Sequence, residues 1–167
     1  EPEFFTVRHR EAVFPVTRAV ARESRDNGIS WGRPRLVTEG SARYGVLPHV
    51  ALQLRSGDLI HIFVRYSGYD PSGDPAKSLN LAHIHRSSDG GRTWSEPQPL
   101  PTGERYVSDV LSALQLSSGR VVYPFGILTA NKGQFVVSVL YSDDDARTWR
   151  RSPSILTVGG EGFESGA

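Results

Sequence analysis

Hydrophobic and polar residues alternate over short runs along most of this chain, with almost no helical periodicity. In the first complete unit the runs are LPHVALQL, which ends at the turn RSG, then DLIHIFVRY, LNLAHIHRS and the short EPQPL. A second unit repeats them as VLSALQL, RVVYPFGI, QFVVSVLYS and RSPSIL. Short runs rich in β-branched and aromatic residues, bounded by Gly, Pro, Asp and Ser, predict strands. We therefore predict units of four strands each.

The same units are visible as an internal repeat. The segment ALQLRSG at 51–57 returns 62 residues later as ALQLSSG at 113–119 and agrees at six of seven positions. Three tryptophans close a second repeated motif, which reads SRDNGISW, SSDGGRTW and SDDDARTW. Four strands per repeat predict the radial sheets of a β-propeller, and a β-sandwich is the alternative, although sandwiches do not repeat a turn motif at this period.

The repeat divides the chain into blades of one partial propeller domain. We predict an incomplete blade at 1–38, complete blades at 39–101 and 102–157, and the start of another at 158–167. About three blades are too few to close a ring. The chain, which does not begin with Met, is therefore expected to be a fragment of a longer propeller, or else a protomer whose copies associate to complete it.

Each repeated cluster has a mechanical explanation as a turn between two strands. The Asp carboxylate can accept hydrogen bonds from unpaired backbone N–H groups, the Gly can adopt positive φ, and the hydroxyls can bind within the turn. The Trp is expected to pack against the neighbouring sheet. Ala146 stands where the other two clusters have glycine, so that turn is expected to be adjusted or strained.

Composition and charge exclude several classes of function. The chain of 167 residues has 19 basic and 18 acidic residues, which are interleaved, so its net charge of +1 does not predict a nucleic-acid partner. The absence of Cys excludes disulfides, thiolate catalysis and Cys-based zinc sites. No apolar run approaches the roughly 18 to 20 residues that span a bilayer. No cofactor is predicted.

The clusters resemble the Asp boxes, or BNR repeats, of the sialidase superfamily. The central copy has every defining position, and the outer copies depart once each, with Ser30 for threonine and Ala146 for glycine. The resemblance implies an all-β, sialidase-like β-propeller, six-bladed when complete, with four-stranded antiparallel blades and boxes on its periphery. Non-enzymatic propellers also carry these boxes. The structural box positions are Ser24, Asp26, Gly28, Trp31, Ser87, Asp89, Gly91, Trp94, Ser142, Asp144 and Trp149.

Two further likenesses to the superfamily suggest catalytic residues. GRVVYP followed by SVLYSDDDARTW resembles a blade after which the family has a Glu that polarises a tyrosine nucleophile, and GFESGA places Glu164 there. A carboxylate beside a phenol can act as its base; the alternative is a solvated rim carboxylate. In RYSGYD, Arg65 and Asp70 have the spacing of a family arginine and a general acid on a mobile loop.

These two likenesses imply different registers. Alignment on Arg65 and Asp70 makes residues 44–100 the family's first blade, whereas alignment on GRVVYP makes the same residues the second blade. We favour the second register, in which Arg8 or Arg10 takes the arginine role and Asp70 can be a turn residue. The family's first carboxylate-binding arginine lies in an Arg-Ile-Pro motif, and GVLPHV has Val46 at that position. The other two arginines and the tyrosine nucleophile would lie beyond residue 167.

Other candidates follow from where propellers bind ligands, which is the central axis. The starts of the innermost strands and the loops between the second and third strands predict His49, Asp109, Tyr66 and Tyr69 as substrate contacts. The aromatics Tyr66, Tyr69, Tyr123 and Phe125 can stack on sugars or belong to the blade core. His83 and His85 share a strand face near His61; these three could hold zinc, but the favoured interpretation is two half-buried strand residues and an unrelated third, with no metal.

The leading prediction is a sialidase-like glycoside hydrolase that removes terminal sugars, sialic acid or related, from glycans. Glu164 would be the base partner of a nucleophile, Asp70 the acid, and Arg65 a contact to the substrate anion. The alternative is a non-catalytic Asp-box propeller that binds carbohydrate or a protein partner. The resemblance favours an extracellular or secreted location. The predicted partner is a glycan or small sugar. The incomplete ring also predicts association with other copies of the chain.

Overall fold

Alternating runs of the sequence form the strands of the computed structural model. The structure describes residues 17–41, 44–67, 79–104, 107–108, 112–128 and 135–154, and every regular element in them is a β-strand. No helix in these residues is long and apolar enough to cross a membrane. The strands are β1 (Arg18–Ala21), β2 (Arg35–Glu39), β3 (Gly45–Gln53), β4 (Leu59–Ser67), β5 (Leu79–Ser87), β6 (Gln98–Pro99), β7 (Val107–Ser108), β8 (Leu114–Gln115), β9 (Val121–Leu128), β10 (Phe135–Ser142) and β11 (Arg150–Arg151).

These strands form three antiparallel sheets in chain order. The first holds β1 and β2, the second has the order β3-β4-β5-β6, and in the third β7 and β8 both pair with β9, followed by β10 and β11. The predicted four-stranded blade is therefore confirmed in the second sheet. The strand predicted from VLSALQL is present only as β8 among the described residues, and the short β7 pairs with the far end of β9.

The sheets pack face to face because alternate residues of each strand point to opposite sides. On β4, Ile60, Ile62 and Val64 are buried in a core shared with alternate residues of β9 in the third sheet, which are Val121, Tyr123, Phe125 and Ile127. Phe63, between them, points the other way and is buried with Ala19 and Val46 beneath the first sheet. The second sheet is thus covered on both sides, as a blade between two neighbours is. The described residues thus form an all-β arrangement of successive antiparallel sheets, as the propeller prediction requires.

Each Asp box forms the hydrogen-bonded turn that its residue types predict. The box serine donates to the first oxygen of the aspartate at 2.8 Å, and accepts from the N–H two residues beyond that aspartate. The aspartate accepts from the backbone and hydroxyl of the next Ser or Thr, at Ser30, Thr93 and Thr148. The Ser30 hydroxyl is the main cause that lowers the pKa of Asp26 to about 2, and the corresponding donors also lower the pKa of Asp89 and Asp144.

Strain in the third box is located at Ala146, as expected from its missing glycine. Ala146 has φ 61° and the preceding Asp145 has φ 60°, both in the left-handed region that favours glycine. The Ala146 methyl group is buried in the core between the second and third sheets. The turn therefore keeps the geometry of the other boxes. Its backbone conformation is unfavourable for alanine, and burial of the methyl group offsets part of that cost.

Of the three box tryptophans, Trp149 packs against the neighbouring sheet as predicted and Trp94 does not. The Trp94 ring stacks on His85 of its own sheet, with centroids 4.6 Å apart, and touches His61 edge-on. The hairpin folds the indole of Trp94 back over β5. The expectation that this ring stacks on a neighbouring sheet was therefore wrong, because its aromatic contacts are with its own sheet. Trp149 packs at the edge of the core between the second and third sheets, whereas Trp31 is 58% exposed.

Arginines connect each of the two later boxes to the sheet before it. Arg86 of the second sheet donates to the Asp58 carboxylate at 2.6 Å and to the backbone carbonyl of Asp145 in the third box. Arg35 of the first sheet donates to the carbonyl of Gly90 in the second box at 3.5 Å. Gly90 and Asp145 hold the same position in their boxes, so the boxes also help to fix successive blades.

We expect Asp89→Ala to destabilise the fold, because it removes the acceptor of the Thr93 N–H, the Thr93 hydroxyl and the Ser87 hydroxyl. Thermal unfolding followed by circular dichroism should show a Tm lowered by at least about 4 °C. Asp143→Ala is the matched control, because Asp143 lies in a box but its ion pair among the described residues is with the exposed Arg120. An unchanged Tm for Asp89→Ala would contradict a structural role for the box carboxylate.

Candidate functional site

Arg65 lies near the end of β4 that is remote from the Asp boxes. It is opposite Val46 on β3 and Leu81 on β5, and Arg86, at the box end, is opposite Ile60. Five residues of strand separate these levels, which is about 17 Å. The structure thus places Arg65 and the Asp boxes at opposite ends of the blade, as the propeller prediction requires of a candidate site.

Aromatic rings hold the half-buried Arg65 guanidinium. Its Cζ lies 4.7 Å from the centroid of the Tyr44 ring and 5.9 Å from that of Phe63. Nε of Arg65 is buried without a hydrogen-bond partner, and no carboxylate of the described residues lies within ion-pair distance of the guanidinium. Among the described residues, the positive charge is therefore positioned by stacking and not by an ion pair.

Tyr66, the next residue, points to the opposite face of the sheet. It pairs with Gly45 across β3 and β4, and its ring packs beside the core between the second and third sheets. A Cβ added at Gly45 would lie 2.0 Å from the Tyr66 ring, so glycine is required for the ring to cover the β3 backbone. Arg65 and Tyr66, both predicted site residues, are thus adjacent in the chain but separated by the sheet.

His49 lies at an irregularity in β3. The pairing with β4 shifts between Pro48 and Val50, which leaves His49 as the extra residue of a bulge. His49 is 8% exposed, and its Nδ1 lies 3.0 Å from the Tyr123 hydroxyl of the third sheet. This contact bridges two blades, and substrate contact by His49 stays a prediction.

Three histidines and Phe63 form the face of the second sheet that meets the first sheet. His61 pairs with His85 across β4 and β5, and Nδ1 of His61 lies 2.9 Å from Nε2 of His85. His83 stacks on Phe63 and donates its Nδ1 hydrogen to the Leu81 carbonyl at 2.8 Å. The interpretation of His61 as an unrelated third residue was therefore wrong, because it is hydrogen-bonded to His85.

This environment disfavours protonated histidine. Burial, followed by repulsion from His85 and His49, lowers the pKa of His61 to about 3. Burial, followed by repulsion from Arg65, lowers the pKa of His85 to about 4, and burial also lowers the pKa of His83. No three His, Cys, Asp or Glu side chains among the described residues converge on a point where a metal ion could bind.

A cleft of about 270 Å³ lies between the first sheet and this histidine face. Its lining is mostly apolar, and the imidazole of His61 and the indole of Trp94 form part of it. The Arg65 side chain does not line the cleft, which is therefore separate from the guanidinium site. Its walls include Val20, Val37, Pro48, His49, His61 and Trp94.

Several predicted residues are outside what the structure describes. Asp70 and Tyr69 fall between β4 and β5, Asp109 falls after β7, and Glu164 falls after β11. Tyr123 and Phe125, for which sugar stacking and core packing were both open, are fully buried in the core. Tyr44 was missed by the sequence reasoning, because a lone aromatic before a strand carries no signal of the side chain that it contacts across the sheet.

A family model and a related protein each match most of this chain. The model of the BNR repeat-like domain family matches residues 18–161. A sialidase from Micromonospora viridifaciens is 28% identical over 154 residues, which cover 80% of this chain and 24% of that protein.

Solved structures agree in fold. Trypanosoma rangeli sialidase in complex with 2,3-difluoro-KDN has a TM-score of 0.54 and 20% identity, over 81% of this chain and 25% of that one. The same sialidase in complex with sialic acid has a TM-score of 0.53 and 19% identity, over 80% of this chain and 25% of that one. This chain spans about a quarter of the length of these relatives.

Proposed function

Because the chain belongs to the BNR repeat-like domain family, within the sialidase superfamily, we propose that it is part of a glycoside hydrolase that removes terminal sialic acid or a related sugar from glycans. The observation that carries the proposal is the Arg65 guanidinium, which is stacked on Tyr44 and has no carboxylate partner among the described residues. A guanidinium binds a carboxylate through two parallel N–H donors. A sugar acid supplies such a group.

Roles for the remaining residues follow from chemical type. Asp70 is proposed as the general acid that protonates the leaving oxygen, and Glu164 as the base that takes the proton of a phenol nucleophile. Tyr66, Tyr69, His49 and Asp109 are proposed to contact the sugar. Arg65 would bind the substrate anion and hold the sugar in a fixed orientation.

Val46 favours a second candidate function, a propeller that binds carbohydrate without hydrolysing it. Val46 stands where the superfamily resemblance has its first carboxylate-binding arginine, and it is 4% exposed and packed on Phe63. A site with fewer arginines can still bind a sugar through Arg65. Turnover therefore distinguishes the two candidates.

The intact protein is expected to hydrolyse an aryl sialoside, with release of the phenol measured by absorbance. Glu164→Gln should lower kcat by about 100-fold or more, since general acid and base groups contribute about 10²–10⁴-fold. Glu96→Gln is the control, because Glu96 is exposed near the Asp-box hairpin, and it should leave kcat unchanged. Binding of sialic acid by folded protein without turnover of any aryl glycoside would favour the non-catalytic candidate.

A further inference from the structure

Tyr44 connects the candidate site to the packing between the first and second sheets. It directly precedes β3 and forms a bridge with Ser41, whose N–H donates to the Tyr44 carbonyl at 2.8 Å. Its ring packs with Ala19 and Val37 of the first sheet against Val46 and Phe63. The position of the ring is therefore fixed by two sheets, and the Arg65 guanidinium lies over it at 4.7 Å.

A flexible arginine needs such a support in order to bind an anion well. A free Arg side chain has many rotamers, and fixing it on binding reduces affinity. Among the described residues no anion neutralises Arg65, since the groups around it are aromatic rings and the imidazoles of His83 and His85, whose pKa values are lowered by burial. The ring face of Tyr44 is the attractive contact that can hold the guanidinium before a ligand arrives.

We propose that Tyr44 is a positioning residue, which holds the Arg65 guanidinium ready to bind the carboxylate of a sugar acid. The inference rests on the proposed function for the identity of that ligand. It assigns to Tyr44 no contact with the sugar. Its effect is on affinity, because the stack exists before binding and makes the binding geometry of Arg65 the populated one.

The chain contains a matched control for the stack itself. At the Asp-box end, the Arg120 guanidinium lies over the Tyr141 ring at 4.6 Å, close to the Tyr44 distance. Arg120 is held there by an ion pair with Asp143 at 2.6 Å. Tyr141→Leu therefore removes an arginine–tyrosine stack of the same geometry at a place far from Arg65.

The first test compares Tyr44→Leu, Tyr44→Phe and Tyr141→Leu in the intact protein, with KM and kcat for an aryl sialoside and Kd for free sialic acid. Tyr44→Leu should raise KM and Kd about 3- to 30-fold and change kcat less than about threefold, since a cation–π contact has roughly that value. Tyr44→Phe keeps the ring and should restore values near wild type, and Tyr141→Leu should leave them unchanged. Equal loss in Tyr44→Phe and Tyr44→Leu, or no loss in either, would overturn the proposal.

A second measurement does not depend on activity. In NMR spectra of the ligand-free protein, the Arg65 side-chain protons should be shifted upfield by the Tyr44 ring current. The shift should persist in Tyr44→Phe and fall in Tyr44→Leu to the smaller contribution of the Phe63 ring, which lies 5.9 Å away. If wild-type protein neither binds nor hydrolyses sialosides while this pattern holds, the proposed function fails and the positioning of Arg65 by Tyr44 stands. If the shift is undiminished in Tyr44→Leu, the positioning fails whatever the activity.

Discussion

Lowering the pH from 7 to about 4.5 is expected to destabilise the fold by several kcal/mol. In the folded chain the pKa of His61 lies at about 3 and that of His85 at about 4, whereas an unfolded histidine titrates near 6.5. Below pH 6.5 the unfolded state therefore binds protons that the folded state excludes. The stability that these neutral imidazoles contribute is complete above pH 6.5 and is lost progressively as the pH falls toward 3.

The expected slope follows from the number of protons. Each proton that only the unfolded state binds changes the free energy of unfolding by about 1.4 kcal/mol per pH unit. Two histidines over two pH units give a loss on the order of 5 kcal/mol, comparable with the total stability of a small domain. Besides burial, the groups that face the pair are part of the cause of these lowered pKa values, since His85 and His49 oppose a charge on His61 and Arg65 opposes one on His85.

The histidines can be separated from the Asp boxes by pH. Asp26 has a lowered pKa of about 2, so the stability from its charged form is lost only as the pH falls below its ordinary value of 3.8. Urea unfolding at several pH values between 6.5 and 4.5 therefore reports mainly on the histidine face. His61→Phe keeps a ring on Phe63 and removes one titrating group, so its slope in this window should be smaller by about one proton. The same slope in wild type and variant would contradict the assignment.

Strand positions were predictable from the sequence because each strand carries its own signal. The alternation in LNLAHIHRS gives the bounds of β5, and the repeated boxes give the hairpins, because both depend on neighbours in the chain. Ala146 could likewise be identified as strained, since its box position requires positive φ. Local pattern was therefore sufficient for the long strands and the box hairpins, but not for VLSALQL, which among the described residues forms a strand only as β8.

Contacts between strands were less predictable. Period-two alternation implies that Arg65 and Tyr66 lie on opposite faces of the sheet. It does not say which rings contact the guanidinium, because Tyr44 contacts it from the start of the neighbouring strand β3. The folding back of Trp94 onto His85 and the His61–His85 hydrogen bond depend on strand register and hairpin geometry. These tertiary details have no signature in spacing along the chain.

The Tyr123→Ala substitution is expected to lower the free energy of unfolding by about 3–5 kcal/mol, the usual result of deleting a buried aromatic ring. Tyr123 is fully buried between the second and third sheets, and its ring stacks with that of Phe125. Tyr123→Phe is the matched control, because it keeps the ring and removes only the hydroxyl near His49, for about 0.5–1.5 kcal/mol. Urea unfolding at pH 7.5, where the histidines are neutral in both states, measures both variants. A loss in Tyr123→Ala no larger than in Tyr123→Phe would mean that the ring does not join the two blades, and it would return Tyr123 to the residues available for stacking on a sugar.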